Sequence, residues 1–226
     1  MNNTTTNKTS LKCLSCNHDV EMEIKSRIDS EGDKEDVKRI LDGSFFIKKC
    51  VRCAKDIIVK LPVGYHNAKL NKDILFLPMD SQFKQQSINI PSNARVTYDL
   101  ITFIEKVRIA EMELDDKIVE LVKVVAYNQV AQLGKVPNEA LEGIGCWIKD
   151  DKFIDLDLRC GGRHYLLEVP HKMYVDIDNK FSDALKDWRE PKVVDMNWAL
   201  TFLNAMLIDE CTTSQDEEDD WDEIIF

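Results

Sequence analysis

An α+β fold is what this sequence predicts. It reads as an N-terminal β unit with a helical insertion over residues 10–90, an α+β unit of helix pair, β-hairpin and C-terminal helix over residues 91–210, and an acidic tail over residues 211–226. Three observations carry that prediction. Two Cys-x-x-Cys pairs, Cys13–Cys16 and Cys50–Cys53, stand among strand-like runs with 33 residues between them. Apolar residues switch to helical spacing from Leu100 onward. Nine acids lie between Asp209 and Glu223 with no Lys or Arg among them, a stretch too charged to fold alone.

Composition sets the frame for each element. With 226 residues, 44% of them hydrophobic, the chain can bury a sizeable core. The formal charge of −11 resides mainly in the tail: without those nine acids, 30 basic residues face 32 acidic ones. No apolar run approaches the roughly 20 residues that cross a bilayer, and MNNTTTNKTS lacks the apolar centre of a signal peptide, so a cytoplasmic protein is expected. Seven cysteines in a reducing compartment argue against a disulfide framework and for metal or redox work at closely spaced pairs.

The first element is therefore read around Cys13 and Cys16, and its counterpart around Cys50 and Cys53. Two such turns supply four thiolates, and each can clip one edge of a zinc tetrahedron with sulfur at about 2.3 Å. A thioredoxin-type redox pair would open a helix, and neither pair is followed by a helical pattern. Between the pairs, SEGDKEDVKRILDGS places Val37, Ile40 and Leu41 on one helical face, with Asp33, Glu35 and Asp36 at its start and Gly43 at its end. Phe45, Phe46 and Ile47 lead into the second turn, and Ile57, Ile58, Val59 and Leu61 lead out. His66 in GYHN is a spare donor that reads as a hydrogen-bonded residue between strands, and His18 is given no role.

These stretches resemble the CpXC proteins of bacteria, a family named for a Cys-Pro-x-Cys pair and carrying a second Cys pair after a short helical insertion. ILDGSFFIKKCVRC is similar to the family's approach to its second pair, and LPVGYHN to its Tyr-His segment. LITFIEKVRIAEMELDDKIVELVK is similar to its Glu-Lys-Ile and Leu-Asp-Asp helical region, and EVPHKMYVDI and VVDMNWALTFL show a weaker likeness. The resemblance implies a zinc-ribbon-like fold and a metal held by Cys13, Cys16, Cys50 and Cys53 rather than a particular activity. This chain departs from the family pattern at the turns: Leu14 and Val51 replace the prolines, and Asn17 and Ala54 replace the glycines. Asn tolerates the positive φ expected after the second cysteine, whereas Ala54 is expected to be strained there.

LPMDSQFKQQSINIPSN, polar and twice broken by proline, reads as a connection. Two amphipathic helices follow, carried by Leu100, Ile101, Ile104 and Val107 and by Leu114, Ile118, Leu121, Val122 and Val125. Asp115 and Asp116 read as first-turn acids that complement the helix dipole. Ile154, Leu156 and Leu158 alternate with acids up to Gly161-Gly162 and then Tyr165, Leu166, Leu167 and Val169, a β-hairpin signal. Cys160 with His164 suggests a thiol–base dyad without a nameable third group, and Asp155, Asp157 and Glu168 suggest nuclease carboxylates without the following lysine. Both read as ordinary hairpin residues, and no catalytic residue is assigned. A last helix carries Trp198, Phe202, Ala205 and Met206 on one face, and Cys146 and Cys211 read as unpaired thiols.

The tail ends DEEDDWDEIIF, and its Trp221, Ile224, Ile225 and Phe226 are apolar anchors in an acidic segment. That form resembles the acidic, Phe-terminated tip of bacterial single-stranded-DNA-binding proteins, which partner proteins capture. The expectation is a non-enzymatic zinc-binding protein-interaction module with the tail as a partner hook. The alternative is a protein associated with single-stranded nucleic acid, in which Lys48, Lys49, Arg52, Lys55 and Lys60 meet phosphate and the tail regulates.

Overall fold

Each cysteine pair sits at the tip of a hairpin in the computed structural model, which describes residues 6–79, 90–136, 141–148 and 153–213. Strand β1 (Thr6–Lys12) pairs antiparallel with β2 (Asp19–Lys25), Lys12 opposite Asp19, and the first pair closes the turn. Along β2, Val20, Met22 and Ile24 alternate inward, as the period-2 geometry of a strand requires. After β3 (Arg27–Asp29) comes α1 (Lys34–Leu41), the expected insertion helix, with Val37 and Ile40 buried. Lys25 Nζ binds Asp33 at 2.7 Å and Asp36 at 2.6 Å, tying its first turn to β2, and Gly43 leaves the helix at φ 81°. A 3-10 turn, Ser44–Phe46, then leads to β4 (Ile47–Lys49), which pairs antiparallel with β5 (Asp56–Ile58) around the second cysteine turn.

Beneath the hairpins lies a four-stranded mixed sheet. Its order is β3, β6 (Val63–Asn67), β7 (Lys72–Phe76), β8 (Arg95–Thr97); the outer pairings are parallel and the central one antiparallel. Helix α2 (Leu100–Glu111) covers this unit, its start capped by Asp99, which accepts from the Thr102 amide at 2.8 Å. Phe103, Val107 and Ala110 enter the same core as Cys13 and Cys50, and the rings of Phe46, Phe76 and Phe103 stand 5.8–6.0 Å apart.

Helix α3 (Asp116–Gln132) begins the second core. Against it pack the meander β9 (Leu141–Ile148), β10 (Phe153–Cys160) and β11 (Arg163–Pro170), then α4 (His171–Asp187) and α5 (Met196–Thr213). The hairpin forms as the alternation predicts: Ile154, Leu156 and Leu158 are buried, and Gly161 and Gly162 take φ 57° and 71°, the positive pair that a tight hairpin turn requires. Phe202 is ringed by Phe181, Trp188 and Trp198 at 5.1–5.8 Å between centroids.

Strand β9 and helix α4 are elements that the sequence reading did not foresee. In LEGIGCWI two glycines hide the alternation, and at Gly143 the Arg159 guanidinium lies 2.6 Å from where a Cβ would stand. In α4 the strand-like EVP leader runs directly into HKMYVDI, and the helical spacing shows only when Ile177, Phe181, Ala184 and Leu185 are taken together.

Candidate metal centre

The two cysteine turns are built alike. The Asn17 amide donates to the Cys13 carbonyl at 2.8 Å, and the Ala54 amide donates to the Cys50 carbonyl at 2.9 Å. The Cys13 and Cys50 amides donate to the His18 and Lys55 carbonyls, each at 2.9 Å. These bonds fold each turn back so that both thiols aim at one point. The residue after each second cysteine is left-handed, Asn17 at φ 55° and Ala54 at φ 57°. An L residue with a Cβ stands about 1–2 kcal/mol above its minimum there, and Asn offsets part of that locally. Ala54→Gly is therefore expected to raise stability and resistance to chelators by about 1 kcal/mol, net of the extra freedom gained by the unfolded chain. A lowered melting temperature in Ala54→Gly would refute this.

All four sulfurs lie within 4.8 Å of one another. Cys13 Sγ is 3.6 Å from Cys53 Sγ, and Cys16 Sγ is 3.6 Å from Cys50 Sγ. A tetrahedron with metal–sulfur bonds of 2.3 Å has edges of about 3.8 Å, so the donor set fits a tetrahedral ion. Its electrostatics favour one as well. The Ser15 amide, helped by that of Cys16, brings the Cys13 thiol down to about 7. At Cys50 burial opposes ionisation, but the Arg52 and Cys53 amides outweigh it and lower the thiol. At Cys16 the His18 amide lowers the thiol, but burial and the three neighbouring sulfurs push it up to about 12. Four ionised thiols at this spacing repel, and a bound cation allows all four to be thiolates together.

Among the described residues this is the one cluster of His, Cys, Asp and Glu with metal-holding geometry. His66 stays apart on β6, its Nδ1 3.1 Å from Asp73 Oδ1, and His18 contributes its carbonyl to the first turn. Cys160 is buried in the second unit, whereas His164 faces outward with Nδ1 2.9 Å from Asp157, so the two lie on opposite faces of the sheet and form no dyad. Asp155 lies opposite Glu168 in register, and Asp157 is engaged by His164. The tail residues Trp221, Ile224, Ile225 and Phe226 lie outside the described residues.

A second concentration of charge joins the two cores. Asp115 caps α3 as expected, accepting from the Lys117 amide at 2.8 Å, but Asp116 is buried rather than a surface acid. It accepts from Arg95 Nε at 2.6 Å and Nη2 at 2.9 Å and from Lys72, and Lys106 stands 3.6 Å away. Lys106 donates to Glu120 at 2.8 Å, Lys123 donates to Glu120 at 2.9 Å and to Glu105, and Glu105 also accepts from the Cys146 amide at 2.8 Å, which ties β9 to α2. Burial raises Asp116 and Glu120, but the surrounding cations prevail and hold both below the ordinary carboxylate range. Helical periodicity assigns such charges to a solvated face. Their only signal was the Glu-Lys pair in α2 and the acids of α3.

A family model for CpXC proteins matches residues 11–123. That span covers both cysteine turns, the mixed sheet, α2, and α3 as far as Lys123, so it contains the metal-type cluster and the central members of the ion network. Comparison with curated proteins found no match, and comparison with solved structures found none either. With half its length matched, and with the cysteine quartet assembled as the family's motif implies, the chain belongs to the CpXC protein family.

Proposed function

We propose that this protein is a non-enzymatic, cytoplasmic zinc-binding module that binds other proteins. The observation that carries the reading is the all-sulfur quartet within 4.8 Å, a donor set that suits structural zinc with its coordination closed by protein. Such an ion fixes the turns rigidly and leaves no open position for substrate, so its role is to hold a surface. That surface includes Leu14 and Val51 at the two turn tips, 98% and 82% exposed, the side chains a binding module presents. The C-terminal segment with Trp221, Ile224, Ile225 and Phe226 acts as the hook for a partner with a basic-rimmed apolar pocket. No described helix is long and apolar enough to cross a membrane.

Elemental analysis of freshly purified protein is expected to give one zinc per chain, and metal-free protein would end the zinc assignment. Deleting Phe226 is expected to abolish capture of the tail's partner without changing zinc content or melting temperature. Identical sets of proteins captured by the intact chain and by the chain ending at Ile225 would remove the hook.

A second reading, association with single-stranded nucleic acid, is supported by the exposure of Lys49, Arg52 and Lys55 around the second turn. Tight, salt-dependent binding of oligothymidylate by the full chain would favour it over the first.

A further inference from the structure

We infer that the metal-turn end of the molecule is the docking site for this chain's own C-terminal segment, residues 214–226. The inference rests on the interaction-module reading and gives that module an internal competitor. Three features place the site. The sulfurs' mutual closeness brings the tips of both turns, Leu14 and Val51, to one end of the fold, where each projects almost fully into solvent. On the second hairpin Ile47 and Ile58 lie directly opposite each other in register, and both are exposed, an apolar patch on the same face of β4 and β5 as Lys49 and Asp56, which stand between it and the tip. KKCVRCAK carries Lys48, Lys49, Arg52 and Lys55 in eight residues without an acid, and Lys49, Arg52 and Lys55 are exposed. Asp56, the nearest acid on that hairpin, is 3.6 Å from Lys49 and offsets one of these charges.

The occupant follows from complementarity. A surface with aliphatic groups bordered by cations suits an acidic peptide that carries apolar anchors. Residues 216–226 hold seven acids around Trp221 and end in Ile224, Ile225 and Phe226. Residues 29–36 also hold five acids, but they carry no apolar anchor, and Asp33 and Asp36 are already engaged by Lys25. The attraction is between exposed groups. It should therefore be weak and salt-sensitive, with apolar contacts setting the register. A docked segment would cover the turn tips, and a partner that captures the segment would uncover them.

The test uses the full chain with the seven tail acids neutralised to Asn and Gln, so that its own tail no longer competes, and a fluorescent peptide of residues 214–226 as probe. Anisotropy is expected to show micromolar binding that falls at least about tenfold between low and moderate salt. The wild-type chain should bind the peptide more weakly than the neutralised chain, because its own tail occupies the site. Lys49→Glu with Arg52→Glu, and separately Val51→Asp with Leu14→Asp, should each reduce binding at least about tenfold with metal content unchanged. Equal binding by the charge-reversed variant overturns the inference. So does equal binding of a peptide with the same acids but without Trp221 and the last three residues, which would reduce the effect to unspecific charge. Preferential binding of labelled oligothymidylate with no binding of the peptide assigns the face to nucleic acid instead. Metal content is read on every variant, so a failed zinc assignment is distinguished from failed docking.

Discussion

Cys50→Ser is expected to release the metal and unfold the first unit while leaving much of the second folded. Structural zinc sites contribute apparent binding energies of about 10–16 kcal/mol, as large as the whole stability of an ordinary domain. Cys13 and Cys50 are themselves members of the first core, beside Val20, Met22, Phe45 and Phe46, so losing the ion opens that core from its edge. Hydrogen exchange should lose protection in β1, β2, β4 and β5, and partly in α2, whose Phe103, Val107 and Ala110 lean on the same core. The strands β10 and β11 and the helix α5 should keep theirs, because Ile154, Leu156, Val169 and Phe202 pack in a separate cluster. Chelation of the wild type should reproduce the pattern. Protection lost equally in β10 and α5 would show one cooperative unit, and protection unchanged in β4 and β5 would show that the metal holds nothing.

Asp116→Ala is expected to cost about 3 kcal/mol, because removing one member of a buried ion network leaves its partner cations short of a counter-charge, although Arg95 keeps Glu190 and Lys106 keeps Glu120. Those partners are Arg95, buried to 1% exposure, with Lys72 and Lys106. Asp116→Asn should lose nearly as much, since its amide keeps the shape but supplies no charge. The network also has a pH signature. In the folded state Asp116 and Glu120 are held below the usual carboxylate range, whereas in the unfolded chain they titrate near about 4. Their stabilisation is therefore complete above about pH 5 and is lost as the pH falls below the unfolded value toward the folded ones. Urea unfolding between neutral and strongly acidic pH should show a steep acid limb in the wild type and a shallower one in Asp116→Asn. A loss under about 1 kcal/mol, or identical acid limbs, would mean that Asp116 is solvated.

Residues whose role depends on neighbours in the chain were legible in the sequence. The cysteine spacing singled out the quartet that the fold brings within 4.8 Å, because two residues between thiols is a property of one turn. Val37 and Ile40 in α1, Asp115 at the start of α3, and the Gly161-Gly162 hairpin turn likewise follow from periods and turn chemistry that operate over a few residues. The positive φ at Ala54 was legible too, because the turn requires it whatever residue stands there. Only the tertiary structure decided which charges are buried. Lys106, Glu120 and Lys123 look like solvated helix residues until α2, α3 and β9 close over them, and each is tolerated inside because an opposite charge arrives from another element. The same holds for Phe103, which joins the metal unit's core through rings from residues 46 and 76. Local pattern specifies a turn or a helix face; what that face meets depends on contacts between residues far apart in the chain, which no local period encodes.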